Sequence, residues 1–169
     1  MNLKFVDVSQ NDLRGEASVS VGSFFRRDNA VECLELAQTK IGCADLSNIS
    51  EALCSRKQTL KEFNLSSNRI KHKGCAALSR FLAQPNCSVT WLDISWNELG
   101  LEGAIHLADA LSVNTSIQHL NLSTNSLRDN GAQRIGASLL SNKTLVELSL
   151  TRNAVGEKAC FVFSKVRRR

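Results

Sequence analysis

VTWLDISWNEL (Val89–Leu99) alternates apolar Leu92 and Ile94 with polar Asp93 and Ser95, the pattern of a half-buried strand. Asn97 then breaks the alternation, Leu99 is apolar again, and Gly100 and Gly103 punctuate the next stretch of chain. The unit recurs. LKFVDVSQNDL starts at Leu3, VECLELAQTKI at Val31, LKEFNLSSNRI at Leu60, IQHLNLSTNSL at Ile117 and LVELSLTRNAV at Leu145. Successive starts, near 3, 31, 60, 89, 117 and 145, lie 28 or 29 residues apart. Each copy reads apolar-x-x-apolar-x-apolar-x-x-Asn-x-apolar, with Thr39 in place of Asn once. A near-constant period of this length marks a stacked repeat architecture.

The second half of each unit repeats as well. Val21, Ile49, Leu78, Leu107 and Ile135 stand ten residues after the Asn position, and Phe25, Leu53, Leu82, Leu111 and Leu139 fourteen after it. Apolar positions four apart form one face of an amphipathic helix. Gly22, Ser50, Ser79, Ala108 and Gly136 flank that stripe, and their small size is expected to let each helix sit close to the sheet. Strand, turn and helix in every unit make successive strands parallel. The sheet then lines a concave side and the helices a convex one. The Asn column (Asn11, Asn68, Asn97, Asn125, Asn153) falls where the chain turns inward and leaves backbone groups in need of partners. An amide offers both donor and acceptor there. Thr39 offers only part of this, so the ladder is expected to be weakest at the second repeat.

These motifs, with helical tails such as GLEGAIHLADALSVNTSI (Gly100–Ile117), resemble the ribonuclease-inhibitor-like subfamily of leucine-rich repeats, which includes the repeat tails of NOD-like receptors. The resemblance implies an α/β fold: a leucine-rich repeat solenoid, or horseshoe, of about six repeats, with a parallel β-sheet on the concave face and α-helices on the convex face. It covers essentially the whole chain, read as a single domain over residues 1–169 with no separate capping domain. It implies protein–protein recognition through the concave face and its rims, and carries no catalytic residue to transfer. Ribonuclease inhibitor alternates two repeat types and often has Cys at the turn, where this chain has Asn, so ribonuclease inhibition itself is not expected.

Composition narrows the function classes. The chain has one Pro, no linker-like or low-complexity segment and no apolar run of membrane-spanning length. MNLKFVDVSQND lacks the basic-then-apolar order of a secretory signal, so a cytoplasmic location is expected. The six cysteines (Cys33, Cys43, Cys54, Cys75, Cys87, Cys160) form no CxxC pair and no zinc-finger spacing with His, and read as reduced thiols. No metal or cofactor is implied. Sequons at Asn64, Asn86, Asn114, Asn121 and Asn142 read as incidental. Net charge is +5, of which Arg167, Arg168 and Arg169 supply three. A basic run through Arg56, Lys57, Lys61, Arg69, Lys71, Lys73 and Arg80 falls mostly on turns and helices and reads as a solvated face. No aromatic residue interleaves with it, which argues against nucleic acid.

On the concave side the register gives columns directly. One holds Phe5, Cys33, Glu62, Trp91, His119 and Glu147, and the next Asp7, Glu35, Asn64, Asp93, Asn121 and Ser149. A third runs Ser9, Ala37, Ser66, Ser95, Ser123 and Thr151, beside Gln10, Gln38, Ser67, Trp96, Thr124 and Arg152. A basic chain thus carries an acidic concave face. Both of its tryptophans stand at outward positions that the core does not require, as a binding hot spot would. For Trp96 the alternative is that it folds back over the neighbouring repeat.

The leading expectation is a non-enzymatic interaction module that binds a basic or mixed-charge protein through Trp91, Asp93, Trp96, Glu62, His119, Asn121, Glu35 and Asn64. It takes no small-molecule substrate and no membrane. The alternative is a fragment or repeat tail of a larger NOD-like receptor or a cytoskeletal or ciliary scaffold, because neither end carries a polar capping unit. The uncapped ends also point to self-association. His119, Asp93 and Ser123 invite a triad reading, yet nothing marks an oxyanion hole or nucleophile elbow, so no enzyme is expected.

Overall fold

The computed structural model describes residues 3–27, 30–55 and 59–166. Six strand–helix units follow in order: β1 Phe5–Asp7, α1 Glu16–Arg26, β2 Cys33–Glu35, α2 Cys43–Cys54, β3 Glu62–Asn64, α3 His72–Leu82, β4 Trp91–Asp93, α4 Gly100–Val113, β5 His119–Asn121, α5 Arg128–Ser138, β6 Glu147–Ser149 and α6 Glu157–Phe163. The strands form one sheet in sequence order, β1-β2-β3-β4-β5-β6, every pair parallel. The sheet is open, each helix packs on the next, and the whole is a leucine-rich-repeat horseshoe.

The core is the repeat's apolar template. Leu34, Phe63 and Leu92 are fully buried, as are Leu36, Leu65 and Ile94 two residues on. At the ends the same template positions lie open: Val6, Val8, Leu148 and Leu150 are only half-buried, and Leu3 is 41% exposed. A stacked unit buries its apolar face only against a neighbour.

Each strand ends in the same backbone device. The residue before the Asn position is left-handed in all six units: Gln10, Gln38, Ser67, Trp96, Thr124 and Arg152 have φ between 54° and 60°. That conformation is costly for a bulky side chain. The Asn amide then fastens the turn. Asn97 Nδ2 donates to Leu65 O of the preceding repeat at 3.0 Å and to Ile94 O and Ser95 O of its own. Its Oδ1 accepts from Ile70 N of the preceding repeat at 3.0 Å. Asn68, Asn125 and Asn153 donate backward in the same way, to Leu36 O, Ile94 O and Leu122 O. Thr39 bonds its hydroxyl to Leu36 O within its own turn, and makes no side-chain bond to the first repeat among the described residues. Asn125 Oδ1 is buried with no partner, a second soft point that the sequence does not announce.

The small residues beside the helical stripe serve a different contact from the one expected. A Cβ at Gly22 would lie 3.2 Å from Asn48 O of α2, and one at Gly136 would lie 3.0 Å from Val162 of α6. They admit the next helix, not the sheet. From the other side, a Cβ at Gly74 would lie 3.0 Å from Cys43 Cα, the preceding helix. Helices are wider than strands are far apart. Small residues on both flanks narrow that mismatch.

Candidate protein-docking face

The sheet register brings the first column into a row: Phe5, Cys33, Glu62, Trp91, His119 and Glu147 are Cα partners in turn. The second row runs Asp7, Glu35, Asn64, Asp93, Asn121 and Ser149. Trp91 therefore sits between Glu62 and His119, and Asp93 between Asn64 and Asn121, with adjacent strands about 4.8 Å apart. Glu62 and Glu147 are exposed, and Trp91 and His119 are half-covered by their neighbours.

The second row has local duties. Asp93 Oδ1 accepts from Ser95 N at 2.8 Å, and its Oδ2 accepts from Asn121 Nδ2 at 2.8 Å. Asp7, Asn64 and Asn121 likewise accept the N–H two residues on, from Ser9, Ser66 and Ser123. These are Asx turns that close the strand. The bond to the Ser9 amide is the main reason the Asp7 carboxyl lies below its usual value. Where Glu35 is too long for the turn, the Ala37 amide donates instead to Ser9 Oγ of the neighbouring repeat at 3.2 Å. The free choice expected at Asp93 is thus limited by backbone geometry. Ser95, expected to face outward, is buried at 5% exposure.

Both tryptophans hold outward positions, Trp96 further from cover than Trp91. Trp96 does not fold away: it is 54% exposed, because the left-handed turn re-aims its side chain out of the strand's alternation. The Arg152 guanidinium, two repeats on, stands 5.9 Å from the Trp96 ring centre, at the outer limit of a cation–π contact. Trp91 is the more covered of the pair.

His119 Nδ1 lies 3.0 Å from Glu147 Oε2, and Ser123 Oγ lies 2.8 Å from Ser149 Oγ. The histidine and serine of the triad reading therefore turn to different partners. Burial, followed by the carboxylates of Glu62 and Glu35, pushes the Cys33 thiol up to about 12, so it stays a neutral thiol on this face. Burial likewise raises Cys75 to about 12, and its Sγ lies 3.3 Å from Gly103 O. All six cysteines are unbridged. Among the described residues no cluster of His, Cys, Asp and Glu could hold a metal ion, and no helix is long and apolar enough to cross a membrane.

Beside the face, Glu32 sits between Lys4 and Lys61, with Lys61 Nζ at 2.6 Å, and the two ammonium groups hold its carboxyl down at about 2. Lys71 pairs with Glu98 at 3.4 Å. Two members of the expected basic run are thus neutralised, while Arg56, Lys57 and the terminal arginines Arg167, Arg168 and Arg169 lie outside the described residues.

A second ladder left a weaker mark on the sequence. Buried Asn114 donates to Leu82 O at 2.7 Å, and Asn142 to Leu111 O at 2.8 Å, each one repeat back. Each Oδ1 accepts the amide of the next repeat's first residue, Ile117 N and Leu145 N. The recurring N-x-S/T at these two positions is its trace. Their sequons have a structural origin.

Three stretches of the chain, residues 56–79, 86–108 and 113–136, match the leucine-rich repeat family model. RAN GTPase-activating protein 2 of Arabidopsis thaliana is 28% identical over 98 residues, which span 57% of this chain and 18% of that protein. The chain therefore corresponds to under a fifth of that relative's length. The solved structure of the leiomodin-1 actin-binding site 2 superimposes with a TM-score of 0.57 at 19% identity, over 96% of this chain and 78% of that one, a likeness of fold alone. Repeat spacing and sheet order agree on the fold, a leucine-rich-repeat solenoid, and the stretches that match the family model make up under half of the chain.

Proposed function

We propose that the chain is a non-enzymatic protein-interaction module whose concave face binds a basic or mixed-charge protein partner. The observation that carries this is the row Glu62–Trp91–His119 with Trp96 beside it: large aromatic surface on a rigid sheet, next to carboxylates, at positions the core does not need. Trp91 and Trp96 serve as anchors, Glu62 and Glu35 attract Lys or Arg, and His119, Asn64 and Asn121 supply polar contacts. Asp93 adds charge while it closes its turn. The reading places the protein in the cytoplasm, where unbridged cysteines are stable. The 28- or 29-residue period with a full helix in most units supports the ribonuclease-inhibitor-like subgroup.

A second reading, a repeat segment of a larger scaffold, is favoured by the match to only 18% of the Arabidopsis relative. The two readings are compatible, since the face works in either setting.

An array of basic, neutral and acidic peptides tests the charge preference. Binding is expected to favour basic peptides and to weaken with salt. A preference for acidic peptides would overturn the proposal.

A further inference from the structure

Charge is divided along the strands of the concave sheet. The two rows at the third and fifth positions of each unit hold the carboxylates Asp7, Glu35, Glu62, Asp93 and Glu147, and no Lys or Arg. Past the strand ends the sign reverses. The positions one before, one after and three after the Asn carry Arg14, Lys40, Arg69, Lys71, Arg128 and Arg152, against only Asp12 and Glu98. These positions are neighbours across units: Lys40 Nζ lies 3.1 Å from Asp12, and Lys71 Nζ 3.4 Å from Glu98. Both carboxylates of this rim are therefore taken, Asp12 also by Arg14 at 2.6 Å. Arg69 and Arg128 have a repeat on either side, are exposed, and make no ion pair among the described residues.

Trp96 stands within this cationic rim. It is 54% exposed in a left-handed conformation that is costly for a bulky side chain, at a position where the other units place Gln, Ser, Thr or Arg. The Arg152 guanidinium reaches back across the fifth repeat to within 5.9 Å of its ring centre. A guanidinium over a ring has one face covered and its edge N–H groups free, in the fork that matches a carboxylate. The ring also keeps water from one side of an ion pair formed there, which weakens screening. Thr124 occupies the same column between Trp96 and Arg152 and adds a hydroxyl donor.

We propose that this rim is a second subsite, which takes an acidic side chain of the same partner whose basic residue lies on the carboxylate rows. It rests on the docking role proposed above for the concave face, and it makes the partner segment bipolar rather than uniformly basic. A uniformly basic segment would set like charges against Arg128 and Arg152, and a uniformly acidic one against Glu62 and Asp93. Trp91 and Trp96 are five residues apart, about 16 Å along an extended strand. An extended partner segment lying along the strands thus carries its two charges about five residues apart.

Two peptides test this by calorimetric titration of the full chain at low salt. Both carry two Arg at one end of an uncharged stretch; five residues on, one has two Glu and the other two Gln. The Arg–Glu peptide should bind about fivefold more tightly than the Arg–Gln peptide, the scale of exposed ion pairs. Arg128→Glu combined with Arg152→Glu should invert that order, and since both side chains are exposed the melting temperature should stay near wild type. Equal affinity for the two peptides, or an order that the double substitution leaves unchanged, would overturn the second subsite while leaving the docking face in place. Binding of neither peptide, or binding indifferent to Trp91→Ala, would overturn the docking face and the subsite together.

Discussion

Single amides fasten this fold, and their geometry ranks them. Asn97 uses both ends of its side chain, three donor contacts and an accepted bond from Ile70 N, whereas Asn125 uses only its donor end. Asn97→Ala should cost roughly 1–3 kcal/mol and Asn125→Ala less, since a buried donor or acceptor left unpaired carries the larger penalty. Urea midpoints check this, and equal midpoints for both variants and wild type would show that the ladder does not hold the fold. The Asn column was legible because a polar residue fixed at one place in an apolar template must be satisfying backbone there. The duty of Asp93 was not, because an Asx turn leaves no periodic trace: the same residue reads as an outward strand position. The outward position of Trp96 was legible from its column, but the cause was not. Strand alternation says nothing of a left-handed residue that re-aims the side chain.

Strands and helices were legible as elements because two periods, two residues and then near 3.6, alternate in every unit. The partner of each helix was not, since periodicity gives a helix its apolar face but not which neighbour touches the flanks. Gly103 of α4 shows the consequence. A Cβ there would lie 2.8 Å from Leu99 Cβ and 3.6 Å from Cys75 Cβ of the preceding unit. Leu99 is only 1% exposed and has little room to give. Gly103→Ala should therefore destabilise by about 1–3 kcal/mol through overpacking, despite the better helix propensity of Ala. Chemical denaturation reads the outcome. Unchanged or increased stability would show that the helix stack yields more easily than its contacts imply.

Across the whole molecule, charge is sorted by repeat position, which total composition conceals. Glu32 joins the first three repeats through Lys4 and Lys61, with its carboxyl held at about 2 by the two ammonium groups. A folded value below the ordinary one near 4.5 contributes stability that is fully present above that ordinary value. It is lost as pH falls through about 2. Glu32→Gln should thus melt closer to wild type at pH 2 than at pH 7, with melting temperature against pH as the readout. Parallel curves offset by a constant would contradict it. The row of carboxylates on the concave sheet is the other product of this sorting, and it frames the tryptophan on which the proposed function turns. Trp91→Ala, followed for melting temperature and for affinity toward the best basic peptide on the same sample, is the most direct test. A hot-spot Trp predicts a loss of about 2 kcal/mol or more in binding with the melting temperature nearly unchanged. Undiminished binding, or a large fall in melting temperature, would show instead that Trp91 is a packing residue and that the concave face is not where this protein takes its partner.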